Sequence, residues 1–159
     1  MHPSAQRVAA ALQALGVEAR VIEFPQSTRT AQEAAAAIGT TVGQIVKSLV
    51  FLADGAPVLA LVSGANRLDL EKLRRAAGAA RVQRADAEAV RTATGYAIGG
   101  VPPVGLAQPM PVFLDRDLLA YDMVYAAAGT PHAVFPIAPG ALQRITAAQV
   151  FDLAEEHKE

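Results

Sequence analysis

Apolar residues recur along this chain with two periods, and the changes between them mark its elements. Val8, Ala11, Leu12 and Leu15 keep helical spacing behind Ser4, a good N-cap, and Gly16 sits where a helix ends. Residues 17–24 then read as a strand that Pro25 stops. Thr30-Ala31-Gln32-Glu33 has the form of a capping box and opens an Ala-rich helix that closes at Gly39. Residues 45–52 and 58–62 are apolar runs joined by Asp54-Gly55-Ala56-Pro57, which predicts a hairpin in a buried part of a sheet. Two further helices are expected over residues 69–76, ending near Gly78, and from Asp86 to a stop at Gly95. Past a Gly- and Pro-rich loop at 99–111, short strands are expected at 112–114, 123–127 and 133–137. Thr146-Ala147-Ala148-Gln149 repeats the capping-box spacing and predicts a C-terminal helix carrying Val150, Phe151 and Leu153 on its apolar side.

Helices and strands are interspersed without a strict strand-helix-strand repeat, which predicts an α+β domain with a mixed sheet flanked by helices. At 159 residues, with no repeat or linker, the whole of 1–159 is expected to be one domain. Hydrophobic residues make up 52% of the chain, but no window approaches the roughly 18 apolar residues of a membrane span. The first residues lack a basic segment followed by an apolar core, and cysteine is absent, so a cytoplasmic protein without disulfides and without a membrane partner is expected. A net charge of -1 argues against coating a nucleic acid, DNA included. Lys72, Arg74, Arg75, Arg81, Arg84 and Arg91 still gather positive charge in one stretch, either as a solvated helix face or as a contact for an RNA end.

The residue inventory excludes several chemistries. Three histidines, two of them (His2 and His157) near the ends, and no cysteine cannot assemble a zinc site, so no metal and no cofactor are expected. There is no Gly-x-Ser-x-Gly elbow, no Walker loop and no Gly-x-Gly-x-x-Gly after a strand. Three features remain. Lys47 interrupts an apolar strand on the face shared by Ile45, Leu49 and Phe51, as a snorkelling lysine or as a cation serving a cleft. Gly99 and Gly100 precede Pro102 and Pro103, a combination that gives either a rigid turn or a backbone that approaches a ligand and offers it free N–H groups. His132, in Gly129-Thr130-Pro131-His132, sits in a loop as an exposed residue or as a hydrogen-bonding group for a substrate.

Four segments, taken in order and spacing, resemble the YbaK family, which includes the editing domain inserted in bacterial prolyl-tRNA synthetases and its freestanding relatives. They are Val42-Gly43-Gln44-Ile45-Val46-Lys47-Ser48-Leu49-Val50-Phe51, Asp69-Leu70-Glu71-Lys72-Leu73, residues 94–105 and residues 129–137. The resemblance spans most of the chain and implies a single α+β domain with a curved mixed sheet. It implies trans-editing: hydrolysis of the ester that joins a small wrong amino acid to the terminal adenosine of a tRNA, with tRNA-Pro the expected carrier and a prolyl-tRNA synthetase a candidate partner. By the same resemblance Lys47 anchors the terminal nucleotide, and residues 99–103, with Gly99, Gly100, Val101 and Pro103, form the Gly-x-x-x-Pro loop whose backbone holds the substrate carbonyl. A water is implied to attack with help from the tRNA's own ribose hydroxyl, without a protein nucleophile or a metal. Ser48 falls where the amino-acid pocket is lined, and Gly129 and His132 fall in a substrate-facing segment that carries a histidine in some members. Leu106 stands where a polar residue commonly follows the Pro-Pro-x-Gly turn. The competing reading is a non-catalytic module of the same fold that binds an aminoacyl-tRNA or a synthetase.

Overall fold

A nine-residue strand organises the molecule. In a computed structural model that describes residues 1–156, β2 (Ile45–Ala53) and β3 (Ala56–Ser63) form an antiparallel hairpin in register from Val46 opposite Ser63 to Ala53 opposite Ala56. Asp54 and Gly55 close it with φ of 50° and 85°, the consecutive positive values required by a two-residue turn that follows the twist of the strands. The Asp54 carboxylate also accepts hydrogen bonds from the amides of Ala80 and Arg81, at 3.1 and 2.9 Å.

The sheet grows outward from this hairpin. On the β3 side, β5 (Val112–Asp115) pairs parallel with β3, and β8 (Gln149–Phe151) pairs parallel with β5. On the β2 side lie β6 (Val124–Ala127), parallel to β2, then antiparallel β7 (Ala133–Ile137) and the two-residue β1 (Ile22–Glu23). A short β4 (Val82–Arg84) pairs antiparallel with the far end of β2. Among the described residues, eight strands in a mixed sheet and five helices in a single domain agree with the α+β expectation.

Both faces of the central strands are covered, which is why β3 reads as an unbroken apolar run. Val46, Val50, Leu59 and Leu61 pack with Leu114 and Phe135 on one face, and Phe51, Val58, Ala60 and Val62 pack with Leu73, Phe113 and Leu153 on the other. The first helix, α1 (Pro3–Ala14), buries Ala5, Val8 and Leu12 completely. α2 (Ala31–Ile38) carries the expected capping box: Thr30 Oγ1 accepts from the Glu33 amide at 3.1 Å and the Glu33 carboxylate accepts from the Thr30 amide at 3.2 Å. Asp69 and Asp86 cap α3 (Leu70–Ala77) and α4 (Ala87–Thr94), and Gly78 and Gly95 end them in the left-handed region.

Several expectations need correction. His2, with its ring nitrogen accepting from the Ser4 amide at 3.0 Å, caps α1 in place of Ser4, because Pro3 starts the helix and has no N–H to satisfy. Of the strand expected at 17–24 only Ile22 and Glu23 pair. The C-terminal helix does not form. A helix instead precedes it, α5 (Pro139–Thr146), begun by Pro139 and closed by Ala147 at φ 53°. Thr146 is the last residue of that helix, and its hydroxyl donates back to the Leu142 carbonyl at 2.7 Å rather than capping forward. Gln149 to Phe151 then extend along β5, where Phe151 meets Phe113 with ring centroids 6.1 Å apart. His157 lies outside the described residues, and among these no helix is long and apolar enough to cross a membrane.

The left-handed stop of α5 rests on an alanine, and a Cβ in that region costs roughly 1 kcal/mol that a glycine avoids. Ala147→Gly is expected to raise stability by about 0.5–1 kcal/mol, or roughly 1–4 °C in thermal midpoint for a domain of this size, in a denaturation scan. A continuous helix through 146–153 would give the opposite sign.

Candidate functional site

The topology leaves β2 incompletely paired on one edge. β3 runs along one side of β2, while on the other side β6 takes only Ile45 and Val46, and β4 only Phe51 to Ala53. Between these partners the edge at Lys47, Ser48 and Leu49 opens into a cleft of about 340 Å³, within the size range of small-ligand sites. Its walls come from Thr28 and Arg29 before α2, Tyr125 on β6, Arg84 at the end of β4, and Ile98, Gly99 and Val101 of the Gly/Pro loop.

Lys47 lies half-buried at this opening, and its ammonium donates a hydrogen bond to the Asn66 carbonyl. Burial lowers its pKa from the ordinary lysine value of 10.5; the charge of Asp115 opposes this, while Arg67 and Arg84 push the same way as burial. The carbonyl that receives the ammonium is itself held in place. Asp115, 1% exposed, accepts from the Asn66 side-chain amide at 2.9 Å, from the Ser63 amide at 3.0 Å and from the Asp117 amide at 3.0 Å. Asn66 Nδ2 also donates to Asp117 at 2.8 Å. The turn after β3 is therefore pinned to the end of β5, and it presents an oxygen to the lysine.

Across the cleft, residues 97–100 form a turn in which the Gly100 amide donates to the Ala97 carbonyl at 3.0 Å and Gly99 takes φ 93°. The Gly100 carbonyl accepts from the Gly129 amide at 2.9 Å, and a Cβ on Gly100 would come within 2.9–3.0 Å of the Thr130 backbone. Gly100 thus joins two backbones. Its N–H is taken up, whereas the amides of Gly99 and Val101, two residues that line the cleft, have no backbone acceptor among the described residues and are available to a ligand.

The structure brings four of the residues singled out from the sequence, Lys47, Ser48, Gly99 and Val101, to one cleft. The others stand around it. Gly100 and Gly129 buttress the loop, Gly129 with no room for a Cβ beside the Ser4 carbonyl at 2.7 Å, and Pro103 is buried behind it. His132 is exposed outside the cleft, with its ring against the Gln26 carbonyl at 3.0 Å and its own carbonyl accepting from the Phe24 amide.

Sequence reasoning missed Arg29, Asn66, Asp115 and Tyr125. Arg29 lies along Gly99, where a Cβ would approach its Cγ at 2.6 Å. Of the basic stretch, Lys72 pairs with Asp152 at 2.9 Å, and Arg74 and Arg75 pair with Glu71 at 2.6 and 3.3 Å. Arg84 alone of that stretch lines the cleft, and neither it nor Arg29 makes an ion pair among the described residues. Asn66 and Asp115 gave no pattern signal, since their partners are 49 residues apart and depend on the pairing of β3 with β5. Among the described residues no three His, Cys, Asp or Glu side chains gather as a metal site.

A family model for the aminoacyl-tRNA editing domain matches residues 25–145. The chain is 30% identical over 125 residues to EbsC of Enterococcus faecalis, described as a candidate Cys-tRNA(Pro)/Cys-tRNA(Cys) deacylase, covering 78% of this chain and 76% of EbsC. It is 39% identical over 101 residues to a proline-tRNA ligase of Nitratidesulfovibrio vulgaris, covering 63% of this chain and 18% of the ligase. A crystal structure described as a candidate trans-editing enzyme for prolyl tRNA synthetase superposes with a TM-score of 0.94 at 54% identity, covering 98% of this chain and 99% of the other. The family match spans every residue that lines the cleft, from Thr28 to Val134, and on that ground the chain belongs to the aminoacyl-tRNA editing domain family, in its YbaK-like branch.

Proposed function

We propose that the protein is a trans-editing hydrolase that deacylates mischarged aminoacyl-tRNA, with tRNA-Pro bearing a small wrong amino acid as its substrate. The observation that carries this reading is the half-buried Lys47 ammonium facing a backbone turn across an open cleft whose lining, among the described residues, includes no Cys, His, Asp or Glu that could attack or activate a neighbouring hydroxyl. Such a site suits an ester whose attacking water is activated by the substrate itself. The cation anchors the terminal nucleotide, and the N–H groups of Gly99 and Val101 receive the carbonyl oxygen as it gains charge. Water adds to the carbonyl carbon as its proton passes to the ribose hydroxyl beside the ester, which hands its own proton on to the leaving ester oxygen. The acyl C–O bond breaks as that oxygen is protonated, and free amino acid and tRNA leave. Gly100, Gly129 and Pro103 act in this reading by fixing the turn, and His132 by holding the 24–28 segment at the rim.

Lys47→Met is expected to abolish deacylation while keeping or raising the thermal midpoint. Folding disfavours the charged amine, so the penalty is fully present below the lowered pKa and is relieved as pH rises from there toward 10.5. Activity that needs the ammonium should accordingly fall on the alkaline side below pH 10.5, after subtraction of the spontaneous hydrolysis of the ester. Full activity in Lys47→Met would remove the anchoring role.

Gly99→Ala forces a side chain onto φ 93° and toward Arg29, and so displaces the two amides assigned to the oxyanion. A fall of about a hundredfold to a thousandfold in the single-turnover rate is expected, with a smaller change in tRNA affinity. Unchanged chemistry with weakened binding would make this loop a docking surface, and release of no amino acid from any mischarged tRNA that binds would favour the non-catalytic module. Turnover is also expected to survive excess chelator once magnesium effects on the tRNA itself are controlled, and loss restored by zinc would overturn the metal-free route.

A further inference from the structure

The cleft has an annex. Beside Ser48 a small chamber of about 30 Å³ opens among Val50, Ala85, Val90, Ile98 and Val101, sharing Ser48, Leu49, Arg84, Ile98 and Val101 with the main cleft. Every wall residue apart from Ser48 and Arg84 is apolar. Ser48 Oγ is buried, and no other group among the described residues hydrogen-bonds to it. Buried hydroxyls are almost always paired, and one without a partner is costly, so an orphaned one beside an empty chamber calls for an incoming group.

We infer that this annex is the side-chain pocket for the amino acid being removed, and that it is built for serine. The inference rests on the deacylase reading above. A space of 30 Å³ accommodates about two non-hydrogen atoms, since one water needs about 10–15 Å³ of such volume. Serine supplies Cβ and a hydroxyl that reaches Ser48 Oγ. Alanine fills half the space and leaves Ser48 unpaired, while 2-aminobutyrate fills it with a methyl group that cannot form the bond. Threonine and the proline ring each carry three atoms beyond Cα, so the walls of Val50, Val90 and Val101 exclude them, and correctly charged prolyl-tRNA is spared. Size alone discriminates weakly between such side chains, whereas a site that hydrogen-bonds a hydroxyl discriminates strongly against an analogue that lacks it.

The test is a set of single-turnover deacylations of one tRNA carrying seryl, 2-aminobutyryl, alanyl, threonyl or prolyl groups, with the wild type, Ser48→Ala and Ala85→Val. Seryl-tRNA is expected to react about tenfold or more faster than the isosteric 2-aminobutyryl-tRNA, with threonyl and prolyl esters slowest. Ser48→Ala should bring the seryl rate down to the 2-aminobutyryl rate, and Ala85→Val, which fills the annex, should slow both relative to alanyl. Ser48→Ala should also raise the thermal midpoint, because it removes an unpaired buried hydroxyl; a fall would mean that the hydroxyl already has a partner, and would overturn the inference. A wild type that hydrolyses alanyl- or 2-aminobutyryl-tRNA faster than seryl-tRNA, or a seryl preference that survives Ser48→Ala, overturns the serine pocket and leaves the deacylase reading standing. Absence of turnover on all five esters overturns both.

Discussion

The site depends on a cation placed in a sheet. Lys47 stands in an apolar strand, and a charge there is tolerated only where something receives it. The receiver is neutral, the carbonyl of Asn66, and that carbonyl is in position because Asp115 gathers the Ser63 amide, the Asn66 side chain and the Asp117 amide around one buried carboxylate. A carboxylate in direct contact would have neutralised the ammonium and removed its attraction for an incoming anion. A carbonyl orients the ammonium and leaves its charge uncompensated at close range, with Asp115 opposing the effect of burial from further away.

The same strand explains why there is a cleft to serve. β2 is longer than either strand on its outer edge, and β6 and β4 approach it from opposite ends without meeting. A continuous neighbour would have closed the sheet over Lys47 and Ser48. Instead the Gly/Pro loop crosses the gap, and its close approach to the β6–β7 turn at Gly100 and Gly129 holds it there. The two glycines are required for a structural reason: a Cβ on Gly100 would strike the Thr130 backbone, and one on Gly129 would strike the Ser4 carbonyl.

Local rules account for what was legible in the sequence. The Thr30–Glu33 box, the Asp54-Gly55 turn, the Asp69 and Asp86 caps and the alternation that sets Lys47 beside Leu49 and Phe51 each involve residues within a few positions of one another, so the pattern carries the geometry. What was missed depends on contacts across the fold. Residues 146–149 have capping-box spacing, but Pro139 starts a helix earlier, and 149–151 gain more by extending along β5 than by coiling. β4 owes its existence to β2, since residues 82–84 are a mixed sequence with little strand character of its own. In the site, Lys47 and the double glycine stood out because they are anomalous in their local setting. Asn66, Asp115 and Arg29 are ordinary residues in theirs, and become functional candidates only through partners brought in by the sheet.

The segment matched by the family model begins at residue 25, and what precedes it bears directly on the loop. α1 packs Val8 and Leu12 into the same core as Tyr96, Val101 and Val104, sets Arg7 4.8 Å over the Tyr96 ring, and places Ala11 against Gly105. The Tyr96 hydroxyl closes that arrangement by donating to the Gly105 carbonyl at 3.3 Å. Both ends of the loop that carries Gly99 and Val101 therefore rest on a helix outside the matched segment, and so does Gly129, the residue on which the loop's middle is hydrogen-bonded. A backbone site can act on developing charge only if its amides are fixed before the charge appears. In this chain that rigidity comes from two directions, the β6–β7 turn within the family core and α1 beyond it, so the geometry of the cleft belongs to the whole domain and not to the motif-bearing segments alone.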